Sequence, residues 1–207
     1  PAEIDVNEYA SVREIFEESV GKYGTRPAFT CMGKSITFTT LDHLSAAFGA
    51  WLQGIGCKKG TRVALMMPNI LQYPVCLFGT LRAGATVVNV NPLYTARELE
   101  HQLADSGAEV IVVLENFAAT LAEVVAKTKV KHVIVASMGE LLGLKGLLVN
   151  FVVRRVKKMV KPWSIPNAIA LGNCFIMKPS ETVPLSAGRI AELLAESERL
   201  EEGLQRM

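Results

Sequence analysis

Long apolar runs are missing from this chain. No stretch approaches the roughly 20 residues that a helix needs to cross a bilayer, so no spanning helix is expected. The opening residues, Pro1-Ala2-Glu3-Ile4-Asp5, lack a basic stretch followed by an apolar one, and no secretory signal is read there. The missing initiator methionine points to a trimmed or partial start. A charge excess is missing too. The 22 basic and 20 acidic residues leave a net charge of +2, which gives no bulk attraction for nucleic acid. Paired cysteines are missing: Cys31, Cys57, Cys76 and Cys174 form no CxxC pair and no zinc framework. Scattered thiols fit a reducing, cytoplasmic setting and read as small packing residues. His43, His101 and His132 stand alone, which argues against a metal site.

What is present is material for a core. Half of the 207 residues are apolar and 20% are charged, as in soluble globular proteins of one domain or slightly more. Ser11 caps a helix whose apolar positions Val12, Ile15, Phe16 and Val20 keep a helical period. Glu14, three residues on, completes a capping-box pattern. The β-prone runs 28–30 and 35–39 flank Met32-Gly33-Lys34 and predict a hairpin. A second helix is expected from Thr40, with Leu41, Leu44, Phe48 and Leu52 on one face, stopping near Gly54 and Gly56.

A βαβ rhythm follows. Residues 62–67 (Arg-Val-Ala-Leu-Met-Met) are a short apolar strand of the kind found in a sheet covered on both faces. Strands are also predicted at 85–90, 109–113 and 132–135. Helices are predicted at about 70–82, after Thr95 with Glu98 at the capping-box position, and at about 117–127. Alternating strands and helices predict an α/β fold: a partial doubly wound parallel sheet flanked by helices. Such a sheet would leave an open edge prone to association, and a homo-oligomer is one expected consequence.

Residues 144–161 differ. Leu144, Leu147, Leu148, Val149, Phe151, Val152, Val153, Val156, Met159 and Val160 interleave with Lys145, Arg154, Arg155, Lys157, Lys158 and Lys161, and no acid intervenes. Two readings stand. A basic amphipathic helix can lie on an anionic membrane surface, or it can pack its apolar side on the sheet and solvate its cations. Pro162-Trp163 is expected to end this helix, with Trp163 as interfacial anchor or core plug.

The run Arg62-Val63-Ala64-Leu65-Met66-Met67-Pro68-Asn69, the run from Leu81-Arg82-Ala83-Gly84 to Asn91-Pro92-Leu93-Tyr94-Thr95, and Arg97-Glu98-Leu99-Glu100-His101-Gln102-Leu103 form one long collinear pattern. Over about residues 1–170 it resembles the N-terminal portion of bacterial long-chain fatty acid–CoA ligases, members of the AMP-forming adenylate superfamily. The resemblance implies an ATP- and Mg²⁺-dependent activation of a fatty carboxylate to an acyl-adenylate, then thioester formation with coenzyme A. That chemistry needs a Gly/Ser/Thr-rich loop with a lysine to hold phosphates and a later lysine at the adenylate. The chain has neither. Gly54, Gly56, Gly60, Gly79 and Gly84 read as turn and packing glycines. No cofactor is expected for this chain, and catalytic residues are assigned to none.

Residues 171–207 read differently, as a foreign strand–turn–helix tail. Gly172-Asn173-Cys174-Phe175-Ile176-Met177-Lys178-Pro179-Ser180-Glu181 leads into a helix through Ile190 and Leu194. This resembles the dinucleotide-binding segment of aldehyde dehydrogenases of the semialdehyde branch, over about residues 168–196. The resemblance places Lys178 and Glu181 on the adenosine ribose of NAD; the alternative is two exposed charges at a turn. Cys174 sits in the expected strand and does not match that family's nucleophile. Pro166 to Ala170 can be read as the end of one pattern or the start of the other, as a fusion would leave it. The strand around Phe175 to Met177 is expected to dock on the open sheet edge. Three functions follow: a ligase fragment inactive alone, a module that associates with a membrane surface or a ligase, and an NAD-binding fragment.

Overall fold

A computed structural model describes residues 8–174. Lys178 and Glu181, the helix through Ile190 and Leu194, and the docking expected of Phe175 to Met177 lie outside the described residues.

The chain begins with α1 (Val12–Tyr23), the hairpin β1 (Pro27–Cys31) and β2 (Lys34–Thr37), and α2 (Phe38–Gly54). Five parallel strands follow: β3 (Arg62–Met66), β4 (Thr86–Asn89), β5 (Val110–Leu114), β6 (His132–Ala136) and β7 (Ile169–Ala170), in spatial order β4-β3-β5-β6-β7. Between them run α3 (Gln72–Arg82), α4 (Ala96–Ser106), the short α5 (Ala118–Ala122) and α6 (Leu144–Phe151), and α7 (Leu171–Cys174) follows β7. Covered parallel strands should show apolar side chains on both faces, and these do. Val63, Leu65, Val110, Val112, Leu114, Ile134 and Ala136 point to a core shared with α2, α3 and α7. Ala64, Met66, Ile111, Val113 and Val133 point to the opposite core, under α4 and α5. A third cluster, with Phe16, Ile36, Leu41 and Val75, seats α1 and the hairpin. There the rings of Phe16 and Phe78 stack at 4.0 Å.

The expected elements are present, with informative differences. Thr95 forms a full capping box: its amide donates to Glu98 Oε2 at 2.8 Å, and its hydroxyl accepts from the Glu98 amide. At α1 the Ser11 hydroxyl caps Glu14, but the Glu14 carboxylate turns to the Ala10 amide. The second helix starts before Thr40, because the Thr37 hydroxyl accepts the Thr40 amide proton and cuts β2 short. The helix expected over 117–127 is broken into a 3₁₀ turn, α5 and a second 3₁₀ turn. The strand expected from Leu171 is instead Ile169–Ala170, and Cys174 lies in a short helix. That strand makes a fifth member of the sheet and takes the edge beside β6.

The glycines read as turns include Gly56, Gly60 and Gly84, all at positive φ. Gly79 is a packing glycine, since a Cβ there would sit 2.8 Å from the Ser45 carbonyl of α2. A closer approach joins the β6–α6 connection to α6. Gly139 and Gly146 lie backbone against backbone, so that a Cβ on either would collide with the carbonyl of the other. Neither colliding atom belongs to a flexible side chain, so relief requires backbone movement. Gly139→Ala and Gly146→Ala should each lower stability by about 1–3 kcal/mol, read as the urea midpoint. Gly54→Ala, where a Cβ meets nothing within 4 Å, should leave that midpoint unchanged or raise it slightly.

Candidate cleft at the carboxyl ends of the strands

In open parallel sheets, ligands bind beyond the carboxyl ends of the strands, near the point where strand order reverses. Here β3 connects outward to β4, and the chain then crosses back to β5 on the other side of β3. A cleft of about 300 Å³ opens at the carboxyl ends of β5, β6 and β7. Its floor is Val135, Ala136, Ile169 and Ala170, with Trp163 and Ala168 as an apolar wall. Its polar groups are Glu115, Ser137, Glu140 and Arg154.

Each polar group is held by its neighbours. Glu115 follows directly on the buried strand β5, and its side chain is only 8% exposed. Arg154 meets it at 2.9–3.1 Å through Nε and Nη2, from the half-exposed end of the connection after α6. Glu140 accepts the Ser137 amide at 3.2 Å and the Gly172 amide at 2.9 Å, and so ties the end of β6 to α7. The Gln72 side chain donates to the Ser137 carbonyl at 2.7 Å. Asn150 of α6 donates to Ser137 Oγ and accepts the Gly139 amide. Asn116 Oδ1 is buried without a hydrogen-bond partner among the described residues.

The electrostatics do not suit a triphosphate. Two carboxylates face one guanidinium that is already paired, and no described loop offers a row of free amides with a lysine. Among the described residues no group of three or more His, Cys, Asp or Glu could hold a metal ion. The cleft therefore does not fit ATP–Mg²⁺, and no catalytic step is drawn through it. Two of the buried thiols are equally unsuited to nucleophilic work. Burial pushes Cys76 well up and Cys174 to about 12, with Glu140 adding to the latter, which keeps both as thiols. All four cysteines are free, and three are buried.

Of the residues singled out in sequence, Lys145 and Arg154 prove to have partners within the fold. Lys145 donates to the Met32 carbonyl at 2.7 Å, and Arg154 pairs with Glu115. Arg155, Lys157, Lys158 and Lys161 are exposed and make no ion pair among the described residues. Helical structure does not reach Lys161. α6 passes into a π-helical turn over Val152–Val156, and Lys158 takes a positive φ. The chain therefore turns out of the helix before Pro162-Trp163. Trp163 is half-buried against the core that contains Ile165, as a plug would be. Sequence reasoning passed over Glu115, Glu140 and Asn150. An acid placed directly after an unbroken apolar strand was the one signal available, at Glu115.

The fold and this cleft define a class: a parallel α/β unit whose loops gather at the carboxyl ends of its strands. The model of the AMP-binding enzyme family matches residues 16–171, well over half of the chain. The chain belongs to the AMP-binding enzyme family. It is 58% identical over 172 residues to a long-chain-fatty-acid–CoA ligase of Escherichia coli O157:H7, covering 82% of this chain and 31% of that relative. It thus spans about a third of the length of these curated relatives. A solved long-chain-fatty-acid-CoA ligase from Archaeoglobus fulgidus superimposes with a TM-score of 0.57 at 27% identity, over 64% of this chain and 29% of that one. An anthranilate CoA ligase in complex with anthranoyl-AMP gives 0.64 at 18% identity, over 81% of this chain and 28% of its own, a likeness of fold. A second family model, that of the aldehyde dehydrogenases, matches residues 157–205.

Burial raises the Glu140 carboxyl above its ordinary value of 4.5; the amides of Ser137 and Gly172 oppose the shift and Glu115 adds to it. The folded chain therefore holds this proton more tightly than the unfolded chain does. Its contribution to stability is full below the unfolded value and is lost as pH rises through the folded one. Glu140→Gln removes that ionisation. Relative to the unsubstituted chain it should gain stability as pH rises from about 4 to 7, on top of a pH-independent loss of one accepted hydrogen bond. Urea titrations at both pH values check this. A difference between the two chains that is flat with pH would place the titration elsewhere.

Proposed function

We propose that these 207 residues carry the first α/β subdomain of a long-chain fatty acid–CoA ligase, and that they supply framework to that enzyme without its reacting groups. The observation that carries this is the collinear identity over 172 residues, joined to a cleft whose two acids repel a triphosphate. In the whole enzyme, ATP, Mg²⁺ and coenzyme A would be held by segments beyond those described. The subdomain would contribute the sheet against which those segments pack. The short fifth strand, which pairs with β6 only at Ile134 and Val135, supports an association with a ligase chain or with a second copy of itself. The 207-residue polypeptide should give no ATP–pyrophosphate exchange with palmitate or oleate. Exchange should appear when a polypeptide carrying the remaining two-thirds of a relative is refolded with it. Exchange by the 207 residues alone would overturn the assignment of the reacting groups to other segments.

A second reading concerns the end of the chain. The aldehyde dehydrogenase match over residues 157–205 overlaps the AMP-binding match by 15 residues, 157–171. We infer a chimeric join there, with Lys178 and Glu181 retaining the ribose-binding positions of the second family. So short a segment encloses too little of a dinucleotide to hold it firmly. NAD should bind no more tightly than millimolar, about −4 kcal/mol, in a calorimetric titration. A micromolar site abolished by Glu181→Ala would instead make the tail a working dinucleotide site.

A further inference from the structure

α6 is mounted the opposite way round from an ordinary surface helix. Amphipathic helices turn their apolar stripe to the core and their polar residues to water. Here Gly146 is pressed against Gly139, and Asn150 makes hydrogen bonds to Ser137 and Gly139. Val149 and Val153 complete the inward side. The stripe formed by Leu144, Leu147, Leu148 and Phe151, at positions i, i+3, i+4 and i+7, faces outward. Every one of these side chains is more than half exposed, and Leu144 is 88% exposed. Val156, the last residue of the π-helical turn, and Met159 beyond it extend the apolar surface. Close backbone packing and two hydrogen bonds to loop atoms fix this orientation, so the helix cannot roll to bury its leucines without losing them.

The chain that carries the stripe has one sign of charge. From Leu141 to Ser180 the sequence contains no Asp or Glu. A shallow hollow of about 280 Å³ lies between Leu147, Asn150, Phe151, Arg154 and Arg155. Since Lys145 and Arg154 are engaged inside the fold, the cations of this stretch left without an ion pair among the described residues are Arg155, Lys157, Lys158 and Lys161. They follow the stripe along the chain, where the helix has ended. A second copy of the same surface would bring these cations against each other. An anionic partner with an apolar interior satisfies both features.

We propose that this face is a docking surface for an anionic phospholipid bilayer. Leu144, Leu147, Leu148 and Phe151 enter the acyl boundary, while Arg155, Lys157, Lys158 and Lys161 meet headgroup phosphates. The helix lies in the plane of the interface; at eight residues it is too short to cross. This inference stands independently of the ligase reading. It assigns four cations to the lipid and withdraws Lys145 and Arg154 to structural roles.

Flotation of the full chain with phosphatidylcholine vesicles, with and without phosphatidylglycerol, tests it. Binding should require the anionic lipid and weaken with salt. Lys157→Gln combined with Lys158→Gln should reduce it about thirtyfold, from about 1 kcal/mol per basic residue. Leu148→Asp should reduce it about tenfold or more. Both variants alter exposed side chains, so their thermal midpoints should match that of the unsubstituted chain. Equal binding to both vesicle types, no binding to either, or binding unaffected by these substitutions would overturn the proposal. A concentration-dependent dimer abolished by Leu148→Asp, without vesicle binding, would overturn it in favour of a second copy.

Discussion

Burial of a parallel sheet on both faces is the constraint on which the rest of this structure depends. Parallel strands covered on both faces leave no solvent-facing side, so the central strands must be apolar along their covered lengths and the connections must carry covering helices. Val110 to Leu114 meet this demand without exception: all five residues of β5 are buried, alternating between two cores. The helices α2 and α3 on one face, and α4 and α5 on the other, follow from it. So does the gathering of polar groups at the carboxyl ends of the strands, where the chain leaves the sheet and its backbone groups need new partners.

Glu115 and Glu140 answer that need in different ways. Glu115 is nearly inaccessible and depends on a guanidinium that arrives from 39 residues further along the chain. Burying a carboxylate is costly without such a partner. Glu140 has two backbone amides and no direct cation, and desolvation outweighs those bonds in setting its protonation. Both acids therefore act as ties, between β5 and the turn after α6 and between β6 and α7. The same pair makes the cleft hostile to phosphate. A cleft in the place where open parallel sheets bind ligands is used here to hold the fold together.

α6 shows how far local pattern and tertiary role can diverge. Its leucine and phenylalanine spacing is that of a core-facing helix, yet the two glycines and Asn150 bind it to the body by the other side. A backbone-to-backbone approach at Gly139 and Gly146 brings the helix closer than any leucine-mediated contact would allow. Apolar surface left exposed on that scale marks an interaction face in soluble proteins. The uniform positive charge along the chain beyond it is the feature that the proposed anionic surface would meet.

Much of this was legible in the order of residues. Apolar runs at 62–67, 85–90, 109–113 and 132–135 located four strands to within a residue or so, because a doubly covered strand has one pattern and little freedom to depart from it. Caps at Ser11 and Thr95 were legible because the bonds involved span three residues. The capping hydroxyl of Thr37 was missed because Thr39 and Thr40 offered the same chemistry nearby. The family was legible from one long collinear run of residues. What the sequence alone could not decide was every question of facing. Whether residues 144–161 packed inward or outward, which cations stayed free, which strand took the edge beside β6, and whether Glu115 had a partner all turned on contacts between distant segments. Local periodicity reports which side chains share a face. Only the packed backbone determines what that face meets.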